Sequence, residues 1–261
     1  MSHEMPRPEG RAEGNGSPTR RLLEVVGLSK VFGAIRAVDG VDLSVRPGAR
    51  LGIIGPNGAG KTTLFHLITG KERPTAGKIF FHDRDITRMP RHRRARLGLG
   101  RTFQILTLFP SLSPYEHFLL AARTDVRRAT GPDRAEQTLQ TLGLEDVART
   151  PVSVLPYGQQ RLVELGMTLC SNATLLLLDE PAAGLGPADR EMLRERIRDL
   201  PRELTVILVE HDIELVLDTV DRVVCLSYGR MVADGTPADI RNDPVVQEVY
   251  LGRAEQAHGK R

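Results

Sequence analysis

Short continuous apolar runs alternate along this chain with apolar residues spaced at helical intervals, and their order predicts the architecture. Leu22 to Val26 and Val41 to Val45 read as antiparallel strands on either side of a turn around Val31 to Val38. Leu51-Gly52-Ile53-Ile54 reads as a buried strand that runs through a glycine-rich turn into the helix Leu64 to Thr69, which Gly70 ends. After the turn Pro74-Thr75-Ala76-Gly77, Lys78-Ile79-Phe80-Phe81 is a further strand. From Gln104 to Leu155 the signals are helical. Ser113-Pro114-Tyr115-Glu116 has capping-box spacing with proline at the first helical position, and Ala135, Leu139 and Leu142 repeat at helical spacing up to Gly143. Gln160 to Cys170 is apolar nearly all round, predicting a helix buried on most sides. Leu175 to Leu178 is a fully apolar strand ending in Asp179 and Glu180, and the helix around Glu191 to Leu200 places Leu193, Ile197 and Leu200 on one face. Thr205 to Val209 is another buried strand, ending at Glu210-His211, after which Ile213, Val216, Leu217 and Val220 resume the helical repeat. This alternation predicts an α/β chain whose largely parallel sheet is covered on both faces. Ligands of such sheets sit at the carboxyl ends of the strands, so Gly55, Asp179 and His211 should converge.

Composition narrows the picture. The 261 residues can hold one large domain or two small ones, and we read one domain with two lobes. A formal charge of +3 does not argue for nucleic acid, and no apolar run is long enough to cross a bilayer. Cys170 and Cys225 lie in apolar segments and read as buried small hydrophobes of a reducing compartment. Residues 1–20 are expected to be a disordered leader and 254–261 a flexible tail, leaving 21–253 as the folded domain with a helical lobe inserted at about 87–158. Within that lobe Arg88, Arg91, Arg93, Arg94 and Arg96, with His92, form a dense basic stretch, read as a solvated helix face rather than a phosphate contact.

The chemistry centres on Gly55-Pro56-Asn57-Gly58-Ala59-Gly60-Lys61-Thr62-Thr63. Its glycines let successive N–H groups turn inward as an anion nest, and the helix beginning near Lys61 adds its positive end. Lys61 can reach the outer phosphates of a nucleoside triphosphate, and the Thr62 hydroxyl can ligate the bridging magnesium ion. Asp179 is placed to hold the same metal. Glu180, at the exit of the strand, is the better candidate to orient or deprotonate an attacking water. His211 could contact the terminal phosphate, Gln104 could reach the metal or the water, and Phe32 is either a core side chain or a platform for a nucleotide base.

In order and approximate spacing, Gly55 to Thr63, Gln104, Leu155-Pro156-Tyr157-Gly158-Gln159-Gln160, Leu175 to Glu180, Gly184-Leu185-Gly186 and His211 resemble the ATP-binding subunit of ABC transporters. The resemblance runs from Leu22 to Gly252. It implies a P-loop NTPase core of the ABC type with an antiparallel β subdomain and an inserted helical subdomain, binding ATP and Mg2+. It further implies that Phe32 stacks on adenine, Gln104 couples the site to the transport channel, Glu180 is the catalytic carboxylate and His211 the switch histidine. Tyr157, Gly158 and Gln159 would face ATP bound on a second ATPase subunit, identical or homologous. Two transmembrane permease subunits, and indirectly a solute-binding protein, would complete the assembly at the cytoplasmic face of the cell membrane. The wording Gly100-Arg101-Thr102-Phe103-Gln104, Tyr157 to Arg161, Asp179 to Leu185, Glu210-His211-Asp212 and Tyr250-Leu251-Gly252 resembles the ATPases of branched-chain amino acid importers most, with urea and lipopolysaccharide systems sharing parts of it. Pro156 and Tyr157 stand where most relatives carry serine and glycine, so Gly158 and the helix dipole would carry more of that contact.

Overall fold

A computed structural model of the chain describes residues 21–101, 108–122 and 131–250. Strands β1 (Leu23–Phe32) and β2 (Ile35–Val45) pair antiparallel with Phe32 opposite Ile35, so the turn between them is Gly33-Ala34 alone. It is tighter than the turn expected around Val31 to Val38. At the turn end of the two strands Phe32, Ile35 and Arg36 are exposed, and Lys30, Arg36 and Asp39 break the apolar pattern without ending the pairing. Next come β3 (Arg50–Ile54), buried at every position, α1 (Lys61–Thr69), β4 (Ala76–Phe81) and the two-residue β5 (Arg84–Asp85). One antiparallel sheet has the order β2-β1-β4-β5.

The basic stretch forms α2 (Arg91–Arg96), and most of it is solvated as expected. Arg94 is the exception. It is buried, and its guanidinium donates to the carbonyls of Thr87, Met89, Leu67 and Ile68. Two of those carbonyls belong to the last turn of α1, where a cation meets the negative end of the helix. Burial draws the Arg94 pKa down to about 10.

Residues 87–158 contain more than helices, because β6 (Leu99–Arg101) is an edge strand of the second sheet. Three residues, one of them glycine, are too few to show a period. The lobe proper comprises α3 (Pro114–Ala122), α4 (Gly131–Leu142) and the first part of α5 (Tyr157–Cys170). The Ser113–Glu116 capping box forms: the Glu116 carboxylate accepts from the Ser113 N–H at 2.7 Å, and Ser113 Oγ accepts from the Glu116 N–H at 3.4 Å. Phe118, Ala135, Leu139 and Leu142 bury together with Leu162 and Val163 of α5.

The chain closes through β7 (Leu175–Asp179), α6 (Pro187–Arg198), β8 (Thr205–Val209), α7 (Ile213–Thr219), β9 (Arg222–Ser227), β10 (Arg230–Gly235) and α8 (Pro237–Asn242). The second sheet has the order β10-β9-β3-β8-β7-β6 and is parallel except at β10. Leu175 and Leu177 pack with α1 and the small sheet, whereas Leu176 and Leu178 pack with the lobe and the later helices. Alternate residues of one strand thus feed two cores, which is why Leu175–Leu178 of β7 and Val206–Val209 of β8 are apolar without a break. Cys170 and Cys225 are both buried and free.

Candidate active site

Strand register brings the candidate residues together. Val209 of β8 lies opposite Ile53 on one side and Asp179 on the other. Neighbouring strands stand about 4.8 Å apart, so the ends of β3 and β7 are about 10 Å apart on one edge of the sheet. The chain leaves that edge as Gly55, Glu180 and Glu210-His211.

The loop between β3 and α1 rests on two other elements. Gly60 has φ 102°, and a Cβ there would strike the Ala37 carbonyl of β2, so the turn demands glycine on both counts. The Gly229 N–H donates to the Ala59 carbonyl at 2.9 Å, and the Asp39 N–H donates to the Gly229 carbonyl at 2.8 Å. Lys61 is buried with its ammonium inside the loop, donating to the carbonyls of Gly55 and Pro56. Asn57 and Gly58 are exposed at the rim, and Thr62 and Thr63 are half-buried in the first turn of α1. That turn contains no acidic residue, so the positive helix end is uncompensated and suits an anion.

Phe32 is 45% exposed, which excludes the core reading. Its partner Ile35 is two residues from Ala37, so this strand position lies about 7 Å along the sheet from the loop's resting point. The Lys30 ammonium lies 4.6 Å from the ring centroid.

Asp179 is 4% exposed, and its Oδ1 has no hydrogen-bond partner among the described residues. Burial first, and the neighbouring Glu180 charge second, push its carboxyl up to about 6. A buried, unsatisfied carboxylate oxygen is costly unless a cation reaches it, so the donor set of Asp179 and Thr62 fits a hard divalent ion. Glu180 leaves the strand in a left-handed turn, φ 48°, with its N–H donating to the Val209 carbonyl at 2.8 Å. It shares this left-handed conformation with His82, Asp83, Asn172 and Tyr228.

His211 is exposed at 56% of its side chain, one residue before Asp212, whose carboxylate caps α7 by accepting from the Leu215 N–H. What holds it is Glu210, a residue the sequence reading passed over. Glu210 is fully buried; one carboxylate oxygen accepts from the Ala182 N–H at 2.9 Å and the other from the His211 N–H at 3.0 Å. His211 Nδ1 lies 3.4 Å from the same second oxygen. One carboxylate therefore ties the loop after Glu180 to the histidine. The available signal was a carboxylate closing an apolar strand, the pattern that singled out Asp179.

Tyr157, Gly158 and Gln159 open α5, three residues before the expected start, with Pro156 at the cap. The first N–H groups of a helix have no partner within it. Tyr157 is 43% exposed, its ring 5.5 Å from the Arg161 guanidinium. Gly158 is buried against Asp189 of α6, and a Cβ would lie 2.6 Å from that carboxylate. These residues are set by α6 and the Gly184 loop, on elements separate from the β3–α1 loop. Gln104 lies outside the described residues, as do the leader 1–20 and the tail.

A family pattern described as "ABC transporter" matches residues 38–183, and one described as "Branched-chain amino acid ATP-binding cassette transporter" matches residues 230–256. The high-affinity branched-chain amino acid transport ATP-binding protein BraF of Pseudomonas aeruginosa is 38% identical over 254 residues, covering 90% of this chain and 100% of BraF. Its counterpart LivG of Escherichia coli K12 is 39% identical, covering 89% and 98%. The lipopolysaccharide export ATP-binding protein LptB of the same organism is 36% identical, covering 86% and 95%. Among solved structures, the ADP conformation of MJ1267, an ATP-binding cassette of an ABC transporter, superposes with a TM-score of 0.78 at 28% identity, covering 89% of this chain and 99% of that one.

Proposed function

The chain belongs to the ABC transporter family, and from that premise we propose that it is the ATP-hydrolysing subunit of an importer for branched-chain amino acids. The observation that carries the ATPase part is the single sheet edge at which the Gly55–Thr63 loop, the unsatisfied Asp179, the turned-out Glu180 and the clamped His211 meet. The substrate class is supported by the match over 230–256 and by the names of BraF and LivG.

On this reading Phe32 stacks on the adenine, while the loop N–H groups, the end of α1 and Lys61 hold the phosphates. Asp179 and Thr62 would hold Mg2+, which supplies charge neutralisation for the phosphate oxygens. Glu180 accepts a proton from water as its oxygen attacks the terminal phosphorus; the bond to the bridging oxygen breaks and ADP departs with the electron pair. His211, fixed by Glu210, contacts the terminal phosphate. A second ATPase subunit brings its own Tyr157 helix end to that phosphate, so each site is completed across a dimer. Closure of the dimer draws the two helical lobes together and moves membrane-embedded permease subunits at the cytoplasmic face. Among the described residues no helix is long and apolar enough to cross a membrane.

Glu180→Gln should lower hydrolysis by about 10²- to 10⁴-fold while leaving ATP bound in a stable dimer. Wild-type turnover by that variant would refute the assignment. For the transport part, the Glu180→Gln protein should retain two permease subunits and a sister ATPase from detergent-solubilised membranes, and the assembly should import leucine, isoleucine or valine. Recovery of soluble partners alone, or import of urea instead, would refute it.

A further inference from the structure

Tyr250 lies 195 residues from the nucleotide loop in sequence, yet its hydroxyl accepts the Gly55 N–H at 2.7 Å. Gly55 is the first residue after β3 and is buried. A Cβ there would strike the Leu226 carbonyl near the end of β9, so the residue packs closely on that strand as well as meeting the tyrosine. Its own carbonyl accepts from the Lys61 ammonium. Both polar groups of Gly55 are therefore engaged, one by the C-terminal segment and one by the lysine that the proposed function sends to the phosphates. Val246, buried, and Val249 pack with Tyr250 against the core formed by the lobe and the later helices. Burial pushes the phenol pKa up, keeping it a neutral hydroxyl. The mechanism above makes no use of this contact.

We propose that Tyr250 is a positioning residue for nucleotide binding: its hydroxyl holds the Gly55 N–H, and with it the root of the phosphate loop, in the conformation that receives a triphosphate. The inference rests on the nucleotide reading of that loop. When Lys61 leaves the Gly55 carbonyl for a phosphate, Tyr250 keeps the root in place and the nest stays formed. A preorganised loop binds more tightly because less ordering remains to be done on binding. Tyr250 thereby sets the readiness of a site in which it is not itself a ligand of the nucleotide.

The test compares Tyr250→Phe, which removes one oxygen and keeps the ring, with Val249→Ala, which loosens the same segment and keeps the hydroxyl. Kd and KM for MgATP, kcat, thermal unfolding and amide hydrogen exchange over residues 51–60 are measured on the full chain. Loss of one neutral hydrogen bond should raise Kd and KM of Tyr250→Phe about threefold to tenfold. Its kcat should stay within about twofold, since Glu180 is untouched, and the loop peptide should exchange faster. Val249→Ala should leave KM unchanged. An unchanged KM in Tyr250→Phe, an equal rise in Val249→Ala, or a collapse of Tyr250→Phe stability would overturn the proposal. If the wild-type chain fails to bind MgATP, the nucleotide reading falls instead, and the hydrogen-exchange comparison alone decides whether Tyr250 holds the loop.

Discussion

Two neighbouring parallel strands end in carboxylates that look alike in sequence and differ in their hydrogen-bond partners. β7 runs through four buried leucines to Asp179, and β8 runs through Thr205 to Val209 to Glu210. Both carboxylates are almost fully buried. Glu210 is satisfied by backbone N–H groups from two separate loops and serves as a tie between them. Asp179 has an oxygen with no partner among the described residues, and its proton affinity is raised accordingly. A buried acid with its donors supplied fits a part of the scaffold; one without them fits the metal-holding part proposed above for Asp179. The length of the side chain contributes, since glutamate reaches past the strand end to the Ala182 N–H while aspartate stays close to its own strand.

The contrast can be broken at either end. Asp179→Asn should cut Mg2+-dependent hydrolysis by about 10²- to 10³-fold, yet raise the stability of the nucleotide-free protein by about 1–3 kcal/mol, because an amide needs no counter-charge. A variant that loses stability together with activity would place Asp179 in the scaffold after all. Glu210→Gln keeps one oxygen acceptor and loses the other, so kcat should fall about 10- to 100-fold with KM for ATP nearly constant and unfolding shifted downward. If KM rises and kcat holds, Glu210 serves binding rather than the placement of His211.

The smallest effect is a pH dependence. The folded Asp179 carboxyl titrates near 6, against 3.8 for the ordinary group. Below about pH 4 it is protonated both folded and unfolded; between about 4 and 6 the unfolded chain ionises while the folded one keeps its proton. Stability of the wild type should therefore decline across that window relative to Asp179→Asn, with the gap widening to about pH 6 and then levelling. Urea unfolding of both proteins at a series of pH values checks this, and saturating Mg2+ with nucleotide should close the gap. A gap independent of pH would remove the raised carboxyl as its cause.

Much of the site was legible because its parts are local. The loop Gly55 to Thr63, the leucines before Asp179 and the apolar run before His211 each carry their own strand-end signal, and a parallel sheet gathers such ends on one edge. The Ser113–Glu116 capping box was equally readable and formed as written. Arg94 was not. Within a run of solvated arginines it alone turns inward, because its helix places it opposite the open carbonyls of α1. Nothing in the sequence distinguishes it from Arg93. Glu210 was visible as the carboxylate that closes β8, but its part as a tie between two loops emerged only with the positions of the Ala182 and His211 N–H groups.

The chain's own order of apolar periods and glycine spacings determined the doubly covered parallel sheet, the inserted helices and the residues at the strand ends. These are matters of which side chains can be buried and which backbone angles are allowed, and both are read residue by residue. Only the tertiary structure decided which buried carboxylate is satisfied, which arginine caps a helix and that Tyr250 grips Gly55 across 195 residues. Hydrogen-bond partners of buried groups come from whatever backbone the fold brings alongside, and that proximity has no sequence period to announce it.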